Sequence, residues 1–236
     1  GLAETFDAMA ERIGGLIIDQ RRRLAEMSHE LRTPLARIEM AVSLAEQGAD
    51  PAVLMPRMRQ ECAAMRRLVE DALTLSWLET EQPRLRDETL DLTDLLDSIL
   101  DDARFEYPDR CIETQLPAEA ELVGSCHRAL GQAIENIVRN ALDHTPAGGR
   151  VRVQLFSEPQ AYRLDIIDEG PGVPSQWLER IFQPFERLSA ARSGFGLGLA
   201  LAQHQVCAIG GRLAARNHEQ GGLCMSIWLP RNEAPA

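Results

Sequence analysis

Four stretches of this sequence combine residue types and spacings that could do chemistry. The first is Met27-Ser28-His29-Glu30-Leu31-Arg32-Thr33-Pro34-Leu35. Met27, Leu31, Leu35, Ile38 and Val42 recur at threes and fours and mark one apolar stripe of a long helix. His29 lies two residues from both Met27 and Leu31, so about 100° per residue turns it to the far side, towards water. Pro34 cannot donate to the Glu30 carbonyl and its ring crowds that carbonyl, so the helix is expected to bend or loosen beside His29. An exposed imidazole beside a carboxylate is a candidate reactive nitrogen. The plainer reading is a surface histidine on a proline-kinked helix.

The second stretch is Glu135-Asn136-Ile137-Val138-Arg139-Asn140. Asn136 and Asn140 are four apart and share a helical face. Their amide oxygens are hard, neutral donors suited to Mg²⁺, which keeps waters and takes phosphate oxygens for the rest. A pair of surface amides would look the same. The third is Ile166-Ile167-Asp168-Glu169-Gly170-Pro171-Gly172. An apolar strand delivers a carboxylate at its end, and two glycines let the backbone pass close to a flat ring. That carboxylate can accept from an exocyclic amine such as adenine's; an ordinary Asp-Gly turn is the alternative. The fourth is Ser193-Gly194-Phe195-Gly196-Leu197-Gly198-Leu199. Alternating glycines at a helix start leave N–H groups open to phosphates, and the helix N-terminus adds partial positive charge. The stretch does not fit a dinucleotide fingerprint, because no parallel strand–helix–strand unit surrounds it. It also lacks the lysine of a phosphate-binding loop.

The elements that position these groups follow from periodicity and punctuation. A long helix runs to about Gln47, and Gly48-Ala49-Asp50-Pro51 makes a turn with Asp50 as N-cap. A second helix covers about 51–80, with Leu54, Met58, Cys62, Met65, Val69, Ala72 and Leu75 on its stripe. Two long helices with a short link fold back as an antiparallel hairpin. One hairpin has too little core to stand alone, whereas two bury both stripes in a four-helix bundle, which predicts a homodimer. Glu81-Gln82-Pro83 ends the second helix and begins a linker. Beyond it, helices are expected at 90–106, 129–142 and 197–209. Strands are expected at 111–116, 120–123, 150–156, 161–168, 212–217 and 223–229. Helices with mostly antiparallel strands suggest a two-layer α+β sandwich.

The bulk composition narrows the classes. The chain has 236 residues, net charge −11 and 44% apolar residues. That is room for one large domain or two modest ones with real cores. All 25 basic residues are arginine. No basic stripe or aromatic-interleaved cluster stands out, so nucleic acid is not an expected partner. Five scattered cysteines show no CxxC and no zinc spacing, which argues for reduced thiols in the cytosol. No apolar run approaches a membrane span and no signal peptide stands out, so no membrane contact is expected from this stretch.

The histidine stretch closely resembles the phospho-acceptor box of sensor histidine kinases. The three later stretches, in this order, resemble the Bergerat-type ATP site shared by those kinases, the large heat-shock chaperone ATPases, type II topoisomerases and mismatch-repair ATPases. Ile181-Phe182-Gln183-Pro184-Phe185-Glu186-Arg187 looks like the Phe box that only the kinases place between the two glycine boxes. The resemblance covers essentially the whole chain. Residues 2–13 also resemble the end of a four-helix signalling linker, or else an ordinary amphipathic helix start.

The resemblance implies three parts: a linker-helix end at 1–14, a dimerisation and phosphotransfer hairpin at 15–82, and a catalytic ATP-binding domain at 83–236. It implies that His29 is phosphorylated from ATP, that Glu30 accepts or orients the imidazole proton, and that the phosphoryl group passes to an Asp of a response regulator. Thr33, one turn later, would position the water that dephosphorylates the regulator. Asn140 would hold Mg²⁺ with Glu135 and Asn136 beside it. Asp168 would read adenine, Gly170, Gly172 and Val173 would admit the ring, and Arg187 and Arg192 would meet the phosphates. Residues 188–195 would be a mobile lid, with Gly194, Gly196, Leu197, Gly198 and Leu199 closing it onto the last helix. Two positions depart from the family pattern. Asp143 stands where relatives often carry Lys or Arg, which would weaken nucleotide binding or leave the phosphate charge to the two arginines. His144 stands where an aromatic is common; it would touch the nucleotide or simply cap its helix. The implied whole is the cytoplasmic portion of an inner-membrane sensor. A Bergerat-type ATPase or a degenerate ATP-binding scaffold is the alternative.

Overall fold

The computed structural model describes residues 2–81, 85, 87–188 and 195–231. The chain divides into two compact units, Gly1–Ala72 and Leu73–Ala236.

The first unit is a helical hairpin. Helix α1 (Leu2–Glu46) runs unbroken through Gly14-Gly15 and through Pro34, and α2 (Pro51–Glu81) follows a tight turn. Asp50 accepts from the Ala52 N–H at 2.8 Å, so it caps α2 as its sequence position predicts. Pro34, Ala41, Leu54 and Leu68 are buried where the two helices meet, and Arg37 pairs with Glu61 across them at 3.1 Å. The expected stripes are only half covered within one chain. Leu35, Val42 and Val69 remain 40–46% exposed. The face of each helix turned to its neighbour is closed, and the next face round is not.

The second unit closes its own core. The elements are β1 (Glu88–Asp91), α3 (Leu92–Glu106), β2 (Cys111–Gln115), β3 (Glu121–Ser125), α4 (His127–His144), β4 (Arg150–Ser157), β5 (Ala161–Asp168), α5 (Gly198–Ala208), β6 (Arg212–Asn217) and β7 (Leu223–Pro230). Two short 3₁₀ turns, Ser175–Trp177 and Arg180–Phe182, lie between β5 and α5. The main sheet has order β2-β4-β5-β7-β6, antiparallel except for the β2/β4 pair. Strands β1 and β3 form a separate antiparallel ribbon. Leu130, Ile134, Ile137, Val138 and Ala141 of α4 are all buried, as their spacing requires, and they share one core with Leu96 and Leu100 of α3 and Ile166 and Ile227 of the sheet. A two-layer sandwich therefore follows, with helices on one face of the sheet. Strand β1 is an addition to the sequence reading, which ran helix from residue 90. Its four residues are too few to reveal a period.

Asp91 joins the ribbon to the helix layer. Its Oδ1 accepts from the Thr93 and Asp94 N–H groups and its Oδ2 from the Ala120 N–H. Burial pushes its pKa up, and these backbone donors more than reverse that, holding it below the ordinary 3.8. Its stabilisation is therefore complete above the unfolded-state pKa and is lost as pH falls through the lower folded one. Asp91→Ala should cost about 1–2 kcal/mol at pH 7. In urea unfolding, the gap from the parent should narrow as pH drops below about 4.

Candidate functional site

In the first unit, α1 presents His29 with its side chain 77% exposed. Glu30 Oε1 stands 3.8 Å from His29 Nδ1, and the Glu30 side chain is 23% exposed. Thr33 is exposed one turn on. Ser28 Oγ donates to the Leu24 carbonyl at 2.8 Å, so its hydroxyl is tied back along the helix.

In the second unit, α4 acts as a ruler. Asn136 and Asn140 are half-buried on one side of it, while Glu135 stands on the exposed side. Gly198, at the start of α5, comes so close that a Cβ there would sit 3.6 Å from the Asn136 side-chain oxygen. The Asn136 amide nitrogen is buried with no hydrogen-bond partner among the described residues. An orphaned donor of this kind suits a phosphate oxygen. Eight residues further along, about 12 Å at helical rise, His144 Nδ1 donates to the Asn140 carbonyl at 2.8 Å. The ring thus caps its own helix. Asp143 accepts from the Tyr107 hydroxyl at 2.9 Å, and Arg139, one turn before it, pairs with Glu106. Burial raises the Tyr107 pKa, and the bond to Asp143 raises it further. The acid at the departing position is engaged from the α3 side.

Asp168 is 3% exposed at the end of β5. Its Oδ1 accepts from the Gly170 N–H at 2.7 Å and from the Leu223 N–H at 3.1 Å. Gly222, φ +85°, passes so close that a Cβ would lie 1.8 Å from the Asp168 carbonyl oxygen. Any side chain there would displace the strand end. The glycine loop then meets β6: Asn217 Oδ1 accepts from the Val173 N–H at 2.9 Å, and Asn217 Nδ2 donates to the Val173 carbonyl at 2.7 Å. A cavity of about 350 Å³ opens here between Gly172, Val173, Asn217 and Gly222.

Within the Phe-box segment, Phe185 has a φ of +64° and its N–H donates to the Gly196 carbonyl at 2.9 Å. Arg180 stacks over Trp177, 4.1 Å from the ring centroid, and pairs with Glu186 at 2.6 Å. Arg187 is half-buried at its end, and Leu197 is 2% exposed. Arg192, Gly194 and most of the expected 188–195 lid lie outside the described residues.

The structure thus groups Asn136 with Gly198, Asp168 with Gly170 and the His144 carbonyl, and Gly172 with Val173. His29, Glu30 and Thr33 belong to the other unit. Asn217 was missed, and a lone Asn ending a strand carries no local signal of it. Gly222 lies between the last two expected strands, where the Gly221-Gly222 pair carries only the local signal of a turn. Among the described residues no three His, Cys, Asp or Glu side chains group as a metal site. The side-chain amide oxygens of Asn136 and Asn140 are hard, neutral donors, a type that fits a cation which retains most of its waters.

Residues 19–81 match the His Kinase A (phospho-acceptor) family, and residues 126–233 match the histidine kinase-, DNA gyrase B- and HSP90-like ATPase family. The solved mycobacterial sensor histidine kinase MprB is 31% identical, with a TM-score of 0.57, covering 63% of this chain and 99% of that one. This chain belongs to the sensor histidine kinases. The sensor protein PfeS of Pseudomonas aeruginosa is 39% identical over 97% of this kinase and 51% of its own length. This kinase chain spans about half the length of the curated relatives it matches. Its fold is also that of the histidine kinase ThkA, solved in complex with response regulator protein TrrA, at TM-score 0.67 and 21% identity over 88% of this chain and 60% of that one.

Removing the Asn217 clamp should loosen the loop that Gly172 and Val173 form. Asn217→Ala should weaken binding of a non-hydrolysable ATP analogue by about tenfold, the equivalent of two net hydrogen bonds of modest strength. Isothermal titration checks this, with circular dichroism confirming an intact fold.

Proposed function

We propose that this chain is the kinase portion of a longer sensor protein. It phosphorylates itself on His29 from ATP and passes the phosphoryl group to an Asp of a response regulator. Residues 1–14 end a linker helix, 15–82 are the dimerisation and phosphotransfer hairpin, and 83–236 are the ATP-binding domain. The observation that carries the reading is the imidazole of His29, held in solvent with a carboxylate 3.8 Å away. The family match and the convergence of the two glycine boxes on α4 support it.

The lone pair of His29 Nε2 attacks the γ-phosphorus in line. An N–P bond forms as the bond to the departing ADP oxygen breaks. The proton on Nδ1 then passes to Glu30, leaving an uncharged imidazole ring bonded through Nε2 to the anionic phosphoryl group. Asp168, fixed by two backbone donors, accepts from the adenine amine, and the Asn136 amide donates to phosphate. Asn140, with Asn136 and Glu135 beside it, would hold Mg²⁺, which would supply neutralisation of the phosphate charge. Arg187 would meet the phosphates, and Gly196, Leu197, Gly198 and Leu199 would close over them; the same roles are proposed for Arg192 and Gly194, which lie outside the described residues.

The half-covered hairpin supports a homodimer, since a second copy would bury Leu35, Val42 and Val69. Thr33, exposed one turn after His29, supports a second activity, removal of phosphate from the regulator. The curated sensor proteins that this chain half-spans support a longer sensor, of which we take this to be the cytoplasmic portion and the inner membrane the anchor.

Incubation with [γ-³²P]ATP and Mg²⁺ should leave acid-labile label on the parent and only background on His29→Ala, with nucleotide affinity unchanged. Label that survives the substitution defeats the reading. Thr33→Ala should autophosphorylate normally and dephosphorylate its regulator at least about tenfold more slowly, the scale of a lost water-positioning group. A regulator turnover assay with purified phospho-regulator checks this.

A further inference from the structure

Helix α4 carries a carboxylate beside the groups assigned to the nucleotide. Gly198 abuts Asn136, while a Cβ on Gly170 would lie 2.9 Å from the His144 carbonyl and 2.7 Å from Asp168 Oδ1. With Asp168 on the adenine and Asn136 on a phosphate, as proposed above, the nucleotide runs along α4 between residues 136 and 144. At about 100° per residue, Asp143 stands about 20° round that helix from Asn136 and about 60° from Asn140. A carboxylate free to turn that way would repel the phosphates.

The fold turns it the other way. Asp143 is half-buried, and its Oδ1 accepts from the Tyr107 hydroxyl at 2.9 Å. Arg139, the cation one turn earlier on the same helix, is paired with Glu106 of α3 instead. Tyr107 is itself held in place. It is the C-cap of α3, where its N–H donates to the Ala103 carbonyl at 2.9 Å and its carbonyl accepts from the Arg110 N–H at 3.2 Å. The Arg110 guanidinium lies 5.6 Å from the centroid of the Tyr107 ring, and its Nε donates to the Thr145 carbonyl at 3.2 Å. The ring is thus tied to the end of α4 through Arg110 as well as through Asp143. Burial, and then the bond to Asp143, push the Tyr107 pKa up, so the hydroxyl keeps its proton for that bond.

We propose that Tyr107 is a positioning residue for nucleotide binding: its hydroxyl holds the Asp143 carboxylate towards α3 and so keeps that charge off the phosphates. The inference rests on the kinase reading above and extends it to a residue that never touches the nucleotide. Tyr107 and Asp143 act as one unit, in which the acid is harmless to the anion only while the phenol is present.

The probe is the non-hydrolysable analogue β,γ-imido-ATP with Mg²⁺, titrated calorimetrically into the full chain. Tyr107→Phe keeps the ring and removes only the hydroxyl. It should weaken binding about fivefold at low ionic strength, and the gap should shrink at about 0.5 M salt as the repulsion is screened. Asp143→Asn should bind at least as tightly as the parent. Added to Tyr107→Phe, it should restore parent affinity, which it would not do if the hydroxyl served packing alone. The proposal is overturned if Tyr107→Phe binds like the parent, if its loss survives Asp143→Asn, or if Asp143→Asn alone weakens binding. A parent that binds no nucleotide overturns it together with the kinase reading, whereas the three preceding outcomes leave that reading standing.

Discussion

The second unit depends on the place given to one carboxylate. Asp168 is nearly sealed from water, and a buried charge is tolerated only when hydrogen bonds replace its hydration. The replacements come from two chain segments that are far apart in sequence, the Gly170 and Leu223 N–H groups. One oxygen therefore staples the end of β5 to the glycine loop and to the start of β7. The close pass of Gly222 exists because β7 must enter the sheet against that strand end. The same glycine loop is then pinned by Asn217 from β6. A carboxylate fixed in this way has no freedom to turn away.

The two units solve the burial problem differently. The sandwich encloses leucines and isoleucines from three helices and the sheet, and leaves few large apolar side chains outside. The hairpin cannot do so, because two helices in contact close only one face each. Its exposed valines, leucines and methionines are the surface that a second copy is proposed to cover. The same geometry leaves the opposite flank of α1 to water, which is where His29 stands. Exposure of the His29 ring and incompleteness of the core are two consequences of one arrangement.

Charge is distributed with similar economy. The chain is strongly acidic and owns no lysine, so each cationic task falls to arginine. Several arginines are committed to structure, as Arg180 is over Trp177, Arg163 over Phe156 and Arg212 over Trp228. Asp143, the acid that departs from the family pattern, is held by the Tyr107 hydroxyl. That bond gives the carboxylate a partner in the helix layer, so its charge is satisfied from within the fold.

Much of this molecule was legible from its residues. The 3.6-residue period placed α4 and its buried face, Asp50 announced the start of α2, and the order of the histidine, asparagine and glycine stretches pointed to the family. These are local signals, set by the backbone preferences and spacing of neighbouring residues. What the sequence could not hold was everything made by residues distant along the chain. Asn217 reaches Val173 across 44 positions, Tyr107 reaches Asp143 across 36, and Gln205 reaches Gln132 across 73. Nothing in the composition near Asn217 distinguishes it from any polar strand end. Its role exists only once the sheet has set β6 beside the glycine loop, because a hydrogen bond depends on separation in space and local sequence records only separation along the chain.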